Sequence, residues 1–267
     1  MLLTIAGYDP SNGAGITADL QTFAAHHFFG TSAITSLTVQ STLGVFATQP
    51  IDPFLLRQTL DRLTEDLPPA GIKIGMLGSA DIAETVAAFL KQILDQDGSK
   101  QQISIVLDPI VKSSSGRELA SQATLRVLEK ELLPLVNWIT PNRSELSVLT
   151  ALPVTTLAEA ETAAEALGSR YPQLSLVVTG GDHDPPTDLL RLPSGETHFF
   201  AGGHIESRST HGTGCAFSSA LLCRLAAGES PTAAVRNAKI FVSEAIRQAP
   251  DVGQGKGPMQ LLWPLMK

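Results

Sequence analysis

TIAGYDPSNGAGITADLQTF, residues 4–23, runs from an aliphatic strand through a turn of Gly, Pro, Ser and Asn into a helical pattern. Outward from it, short aliphatic or β-branched runs alternate with longer helical stretches. The runs are Leu2–Ala6, Ala33–Val39, Ile72–Gly75, Ile103–Leu107, Val136–Ile139 and Leu176–Val178. Such alternation predicts a mostly parallel sheet with helices on both faces. Helices are expected over Asp52–Asp66, after Pro50, over Ala80–Leu94, after Ser79, and over Leu157–Arg170. Thr187–Leu192 and Thr197–Phe200 flank Pro193-Ser194-Gly195 and read as an antiparallel hairpin at the sheet edge. A further helix starts at Gly212 and runs through Ala227, closed by Gly228. Another is opened by Ser230-Pro231 and runs to about Ala249.

The chain has 267 residues, 43% hydrophobic and 17% charged, enough to bury a sizeable core, and no linker, repeat or low-complexity tract divides it. A single domain over 1–267 is expected. With 26 acidic and 19 scattered basic residues the net charge is −7, which excludes a nucleic-acid footprint. No stretch is apolar enough for a signal peptide or a membrane span, so a cytoplasmic protein is expected. Cys215 and Cys223, eight residues apart on one helix, stand too far apart to bridge, which suits a reducing compartment.

His211-Gly212-Thr213-Gly214-Cys215 leads straight into a helix. Small residues there let backbone N–H groups converge, and the helix dipole adds positive charge, so the motif reads as an anion hole. The same field is expected to favour a Cys215 thiolate as base or nucleophile. A glycine loop holding a structural Cys is the plain alternative. In the N-terminal loop, Gly13 to Ala18 fits the loose dinucleotide pattern, but six residues separate Ala6 from Gly13. The second strand also ends in Gln40 where a ribose-binding acid is needed, so a nicotinamide site is disfavoured. A small-substrate pocket at the strand ends fits better, with Asp19 and Gln40 as polar groups suited to an aminopyrimidine edge. Asp19 as an ordinary first-turn helix acid is the competing reading. Met76, between Gly75 and Gly78, is suited to lining a flat ring. Asp108 ends the fourth strand, and Thr140-Pro141-Asn142-Arg143-Ser144-Glu145 ends the fifth. Asp108 and Glu145 are therefore candidate Mg²⁺ holders, directly or through water.

Taken together, TIAGYDPSNGAGITADLQTF, LTVQST, KIGMLGS, VLDPIV, ITPNRSE, VVTGGDH, STHGTGCAFSSA and VGQGKGP resemble the hydroxymethylpyrimidine and phosphomethylpyrimidine kinases over nearly the whole chain. These are relatives of the pyridoxal kinases within the ribokinase-like family. The resemblance implies a single-domain ribokinase-like fold and an ATP- and Mg²⁺-dependent kinase of thiamine biosynthesis. It implies that Asp19 and Gln40 grip the pyrimidine, lined by Gly7, Ala14, Met76 and Ile110. Gly212 and Gly214 would form the anion hole, with Cys215 as catalytic base. Asp108 and Glu145 would serve the magnesium end, and Asn142, Thr179, Gly181 and Thr213 the nucleotide. Gly253–Pro258 is expected near the nucleotide as a C-terminal loop, and a homodimer is expected through strands beside the pocket. The chain departs from the family pattern at Ile110–Gly116, where a lysine has moved to Lys112. It also departs at Thr179, where the family often has Lys, and at Tyr8 and Asn12, where Thr and Gly are commoner. Pyridoxal kinase activity and non-catalytic pyrimidine binding are the alternatives.

Overall fold

The computed structural model describes residues 1–96, 103–113, 116–181 and 185–266. Ser114, Ser115, Asp182 and His183, part of two quoted motifs, lie outside the described residues. In chain order the strands are β1 (Leu2–Tyr8), β2 (Gly30–Ser41), β3 (Gly44–Pro50), β4 (Gly71–Ile74), β5 (Ser104–Leu107), β6 (Trp138–Ile139), β7 (Ser175–Val178), β8 (Thr187–Arg191) and β9 (Thr197–Ala201). The helices are α1 (Gly15–Ala25), α2 (Pro53–Asp66), α3 (Ala80–Gln96), α4 (Gln122–Val127), α5 (Arg143–Thr150), α6 (Leu157–Arg170), α7 (Thr213–Ala226) and α8 (Pro231–Arg247).

They build one nine-stranded sheet in the order β3-β2-β1-β4-β5-β6-β7-β8-β9. The pairs from β2 through β7 are parallel, and the two ends are antiparallel, β2 with β3 and β7 with β8 and β9. The expected edge hairpin is β8–β9. The other antiparallel end, β3, had no counterpart in the sequence reading, nor did the short α4.

Each central strand is buried on both faces, and alternate side chains feed two cores. Leu3, Ile5, Ile72, Ile74, Ile105, Leu107 and Leu176 pack beneath the layer of α2 to α6. Leu2, Val106 and Val177 face the other way, against Phe23 of α1, Phe217 and Leu221 of α7 and Phe241 of α8. Removing each such side chain from water contributes about 1.5–3 kcal/mol. On β4 the residue of this second face is not apolar: Lys73, between Ile72 and Ile74, is fully buried. Gly71 makes room for the same layer, since a Cβ there would stand 2.8 Å from Leu222 Cδ1.

Candidate active site

The carboxyl ends of the parallel strands deliver the site. Beyond β1 the chain turns at Asp9, whose carboxylate gathers the loop around itself. Its Oδ1 accepts from Ser11 N at 2.8 Å and Ser11 Oγ at 2.6 Å, and its Oδ2 from Gly13 N at 3.2 Å and Ala14 N at 2.9 Å. His211 Nε2 lies 2.7 Å from the same Oδ2. Burial pushes this carboxyl up, but the hydrogen bonds from His211 and Ser11 outweigh it and hold Asp9 below the usual aspartate range. Asp9 was not among the expected site residues, and neither was His211. A turn Asp two residues before a Ser and four before a Gly was the available signal.

Gly13 and Gly212 let this loop meet the start of α7, and Gly15 lets it fold back against β1. Gly212, the residue before α7, has φ +78°, and a Cβ on it would fall 1.9 Å from the Gly13 carbonyl oxygen. A Cβ on Gly13 would fall 2.3 Å from His211 Cδ2, and one on Gly15, at φ +59°, 2.1 Å from Gly7 O. No side chain caps α7, and Gly214 in its first turn is exposed, which leaves a helix start of the kind an anion could use.

Beneath that turn is a buried polar cluster. Lys73 Nζ bonds both oxygens of Asp19, at 3.0 and 2.9 Å, and Asp19 also accepts from Thr4 Oγ1 at 2.6 Å and Ser219 Oγ at 2.8 Å. Asp19 is fully buried with its oxygens occupied, so it does not grip a substrate. It is the counter-ion of Lys73, on the fifth residue of α1, and this corrects the expected role. Burial works against the Lys73 ammonium, yet the neighbouring negative groups, Asp19 foremost, raise its pKa above the ordinary lysine value.

Asp108, just past β5, is buried beside Gly214, where a Cβ would stand 3.7 Å from its Oδ2. Burial pushes its carboxyl up to about 6, against the pull of Lys73 and hydrogen bonds from Ser218 and Cys215. Burial likewise pushes the Cys215 thiol up to about 12, more than Lys73 or the Gly15 amide can offset. The expected helix-end thiolate is therefore corrected: burial, with Asp108 and Asp19 nearby, keeps Cys215 a neutral thiol. Neither Cys215 nor Cys223 is in a disulfide.

The shift at Asp108 has a checkable cost. The folded protein keeps this proton up to about pH 6, whereas the unfolded chain releases it near 3.8, the ordinary aspartate value. The folded state therefore binds more protons between those values, and stability falls as pH rises through them. Asp108→Asn is expected to stabilise the metal-free protein at pH 7.5 by about 2–3 kcal/mol, from roughly 1.4 kcal/mol per unit. The gain should fade as pH drops towards 4. Urea unfolding at pH 7.5 and 4.5 measures it, and an equal or larger gain at pH 4.5 contradicts the assignment.

Glu145 and Asn142 prove to be a reciprocal cap on α5. Asn142 Oδ1 accepts from Glu145 N at 2.9 Å, and Glu145 Oε2 accepts from Asn142 N at 2.9 Å. Glu145 Oε1 is met by Val111 N at 3.4 Å, which ties α5 to the segment after Asp108. Glu145 thus has little left for direct metal binding, and among the described residues no group of three or more His, Cys, Asp or Glu is placed to hold an ion. Asn142 bridges to Thr179, bringing the ends of β6 and β7 together, and Gly181 is open, with nothing near where a Cβ would project.

At the other end, the carboxamide of Gln40 stands with one terminal atom 2.8 Å from His211 Nε2 and the other 3.2 Å from Thr38 Oγ1. Met76 packs close to Gly7, where a Cβ would stand 3.1 Å from its Cε. Ala14 precedes α1, and the Ile110 amide bonds the Asp108 carbonyl. An open cavity of about 270 Å³ runs between Gln40–Val45 and His211, Gly255 and Lys256. The Gly253–Pro258 loop borders this cavity on the Gln40 side: the amide of Gly255 bonds Thr42 Oγ1 at 3.4 Å, and His211 pairs with Pro258.

A family model described as phosphomethylpyrimidine kinase matches residues 9–260, from Asp9 past the Gly253–Pro258 loop. The chain belongs to the phosphomethylpyrimidine kinase family. Among curated relatives, a hydroxymethylpyrimidine/phosphomethylpyrimidine kinase of Haemophilus influenzae is 38% identical over 96% of this chain and 94% of its own. One of Synechococcus elongatus is 37% identical over 98% and 97%. Among solved structures, an ADP complex of Bacillus subtilis pyridoxal kinase superposes with TM-score 0.85 at 31% identity, covering 97% of this chain and 96% of its own. A Clostridium difficile phosphomethylpyrimidine kinase gives 0.77 at 34% identity, covering 92% and 98%. The family membership and these neighbours make the protein a phosphotransferase with a ribokinase-like fold, as the sequence motifs implied. Among the described residues no helix is long and apolar enough to cross a membrane.

Proposed function

We propose that the protein transfers the γ-phosphate of ATP to 4-amino-5-hydroxymethyl-2-methylpyrimidine, to its monophosphate, or to both, in thiamine biosynthesis in the cytoplasm. One observation carries this reading: the order of functional residues along the sheet is the order of the reaction. Gln40, Gly7 and Met76 stand at the ends of β2, β1 and β4, Asp108 at β5, and Asn142 and Thr179 at β6 and β7. Substrate, transfer point and nucleotide thus lie side by side on one edge, the place where open α/β sheets bind ligands.

Transfer takes place over the first turn of α7. The amides of Thr213 and Gly214 hold the negative charge of the moving phosphoryl group, and Asp108 waits beneath them. Because Cys215 is a thiol hydrogen-bonded to Asp108, it acts as a relay. Its sulfur takes the substrate hydroxyl proton as its own proton passes to Asp108, an ionised carboxylate at neutral pH with raised proton affinity. Asn142, Thr179 and Gly181 receive the nucleotide. A hydrated Mg²⁺ suits the two carboxylates Asp108 and Glu145, since this ion keeps most of its waters and needs few direct protein ligands; it would neutralise phosphate charge.

The test is ADP release with Mg-ATP when the pyrimidine alcohol, its monophosphate, pyridoxal and ribose are offered separately. Turnover confined to the pyrimidines supports the reading, turnover with pyridoxal alone replaces it, and none with any substrate leaves a binding protein. Gln40→Ala is expected to weaken binding of the pyrimidine by about 1–3 kcal/mol, because a buried ring polar group loses its partner. Calorimetry reads this directly, and an unchanged Kd removes Gln40 from the pocket wall.

A homodimer belongs to the same proposal. Leu37, Val39 and Phe46 on the β2–β3 arm are 48%, 62% and 59% exposed, an apolar face that a second copy would cover. Sedimentation of a Val39→Lys variant should shift towards monomer.

A further inference from the structure

His211 Nε2 stands between two groups, 2.7 Å from Asp9 Oδ2 and 2.8 Å from the terminal amide of Gln40. One imidazole nitrogen cannot donate to the first while accepting from the second. Asp9 decides between them. Four backbone and hydroxyl donors surround its carboxylate, from Ser11, Gly13 and Ala14, and a bare nitrogen lone pair aimed at it would meet only repulsion. Nε2 therefore carries the proton, and the end of Gln40 that faces it must be the carbonyl oxygen, the two ends of a carboxamide being nearly indistinguishable in shape. The proton is then shared between two acceptors, a common three-centre arrangement. The turned amide still fits on its far side. Thr38 Oγ1 spends its own proton on the Tyr8 carbonyl at 2.9 Å, so its lone pair can accept from the Gln40 NH₂.

We propose that Asp9 and His211 are a positioning pair that locks the Gln40 carboxamide in one of its two orientations and thereby sets which ring the pocket accepts. With one oxygen lone pair given to His211 and one N–H to Thr38, Gln40 keeps one acceptor, on the His211 side, and one donor. The matching ligand edge is an exocyclic N–H beside a ring nitrogen acceptor, which is the edge of a 4-aminopyrimidine. A 4-oxo ring presents the reverse, a ring N–H beside a carbonyl, and would need the carboxamide turned over. This inference rests on the pyrimidine reading above.

Two measurements test it. In the wild-type protein, ¹⁵N-detected imidazole spectra, with His211 assigned by comparison with His211→Leu, should show Nε2 protonated. An unprotonated Nε2 overturns the proposal whatever the activity of the variant. The second is the ratio of kcat/KM for the 4-amino substrate to that for its 4-oxo analogue. His211→Leu frees the carboxamide to turn, so the ratio should fall about tenfold or more, since mispaired buried polar groups are what reject the wrong ring. A role in stability alone would lower both rates together and leave the ratio unchanged, and that result sinks the proposal. If the wild-type protein phosphorylates neither ring, the functional reading itself fails, and the positioning role falls with it.

Discussion

Lys73→Met is expected to lower stability by about 3–5 kcal/mol, the largest effect of any single change outside the glycine contacts. The methionine fills the space, but Asp19 is left as a charge with no exposure to water and only two hydroxyls, Thr4 Oγ1 and Ser219 Oγ, for company. An uncompensated buried charge, rather than the lost attraction, sets that cost. Adding Asp19→Asn should therefore return a good part of the loss, because the second substitution removes the charge that the first stranded. Urea unfolding of the two single variants and the double provides the comparison. A Lys73→Met midpoint close to the parent, or a double variant no better than the single, refutes the account.

Cys215→Ala should reduce kcat by roughly 10²–10⁴-fold with KM little changed, the usual range for loss of a positioned proton-transfer group. The side chain is buried and small, so the fold should survive, and far-UV dichroism together with ATP binding can confirm that. If the relay is right, Cys215→Ser, which keeps a proton to pass to Asp108, should retain more activity than the alanine variant. A serine variant as slow as alanine would argue for a step that needs sulfur itself. Alanine turnover near the parent would take Cys215 out of proton transfer altogether.

The fold was readable where a segment's pattern depends on its own burial. β1, β4, β5 and β7 are buried on both faces and read as short runs that are mostly aliphatic or β-branched, and Thr156, Ser230 and Asp52 cap α6, α8 and α2 through their side chains. β3 escaped because nothing local announces it. Its side chains are largely exposed, and it is a strand only because β2 extends beyond the sheet and offers it a ladder. In the site, backbone-borne features were legible: the glycines at 212 and 214 mark the close approach of the loop at Gly13 to the start of α7. Side-chain roles were less so, since a carboxylate means different things in water and in the interior. Asp19 looked like a ring-binding group until Lys73 was placed beside it. Cys215 looked like a thiolate until its burial was known, and Glu145 looked like a direct metal ligand until its oxygens were found bonded to the amides of Asn142 and Val111. His211 was noticed only as a neighbour of the glycines, because its two partners are 202 and 171 residues away in the chain.

Gly13 and Gly212 bring the two loops together and Gly15 folds the first of them back on Gly7, all with no space for a single added carbon. Any base change in a glycine codon that yields another amino acid introduces a Cβ, and at Gly15 and Gly212 that residue must also hold a left-handed backbone. These positions consequently have no harmless neighbours in mutational space. A lineage can change what this pocket reads by altering Gln40 or the residues around it, one step at a time, but it cannot walk away from the junction that holds reader and phosphate site together.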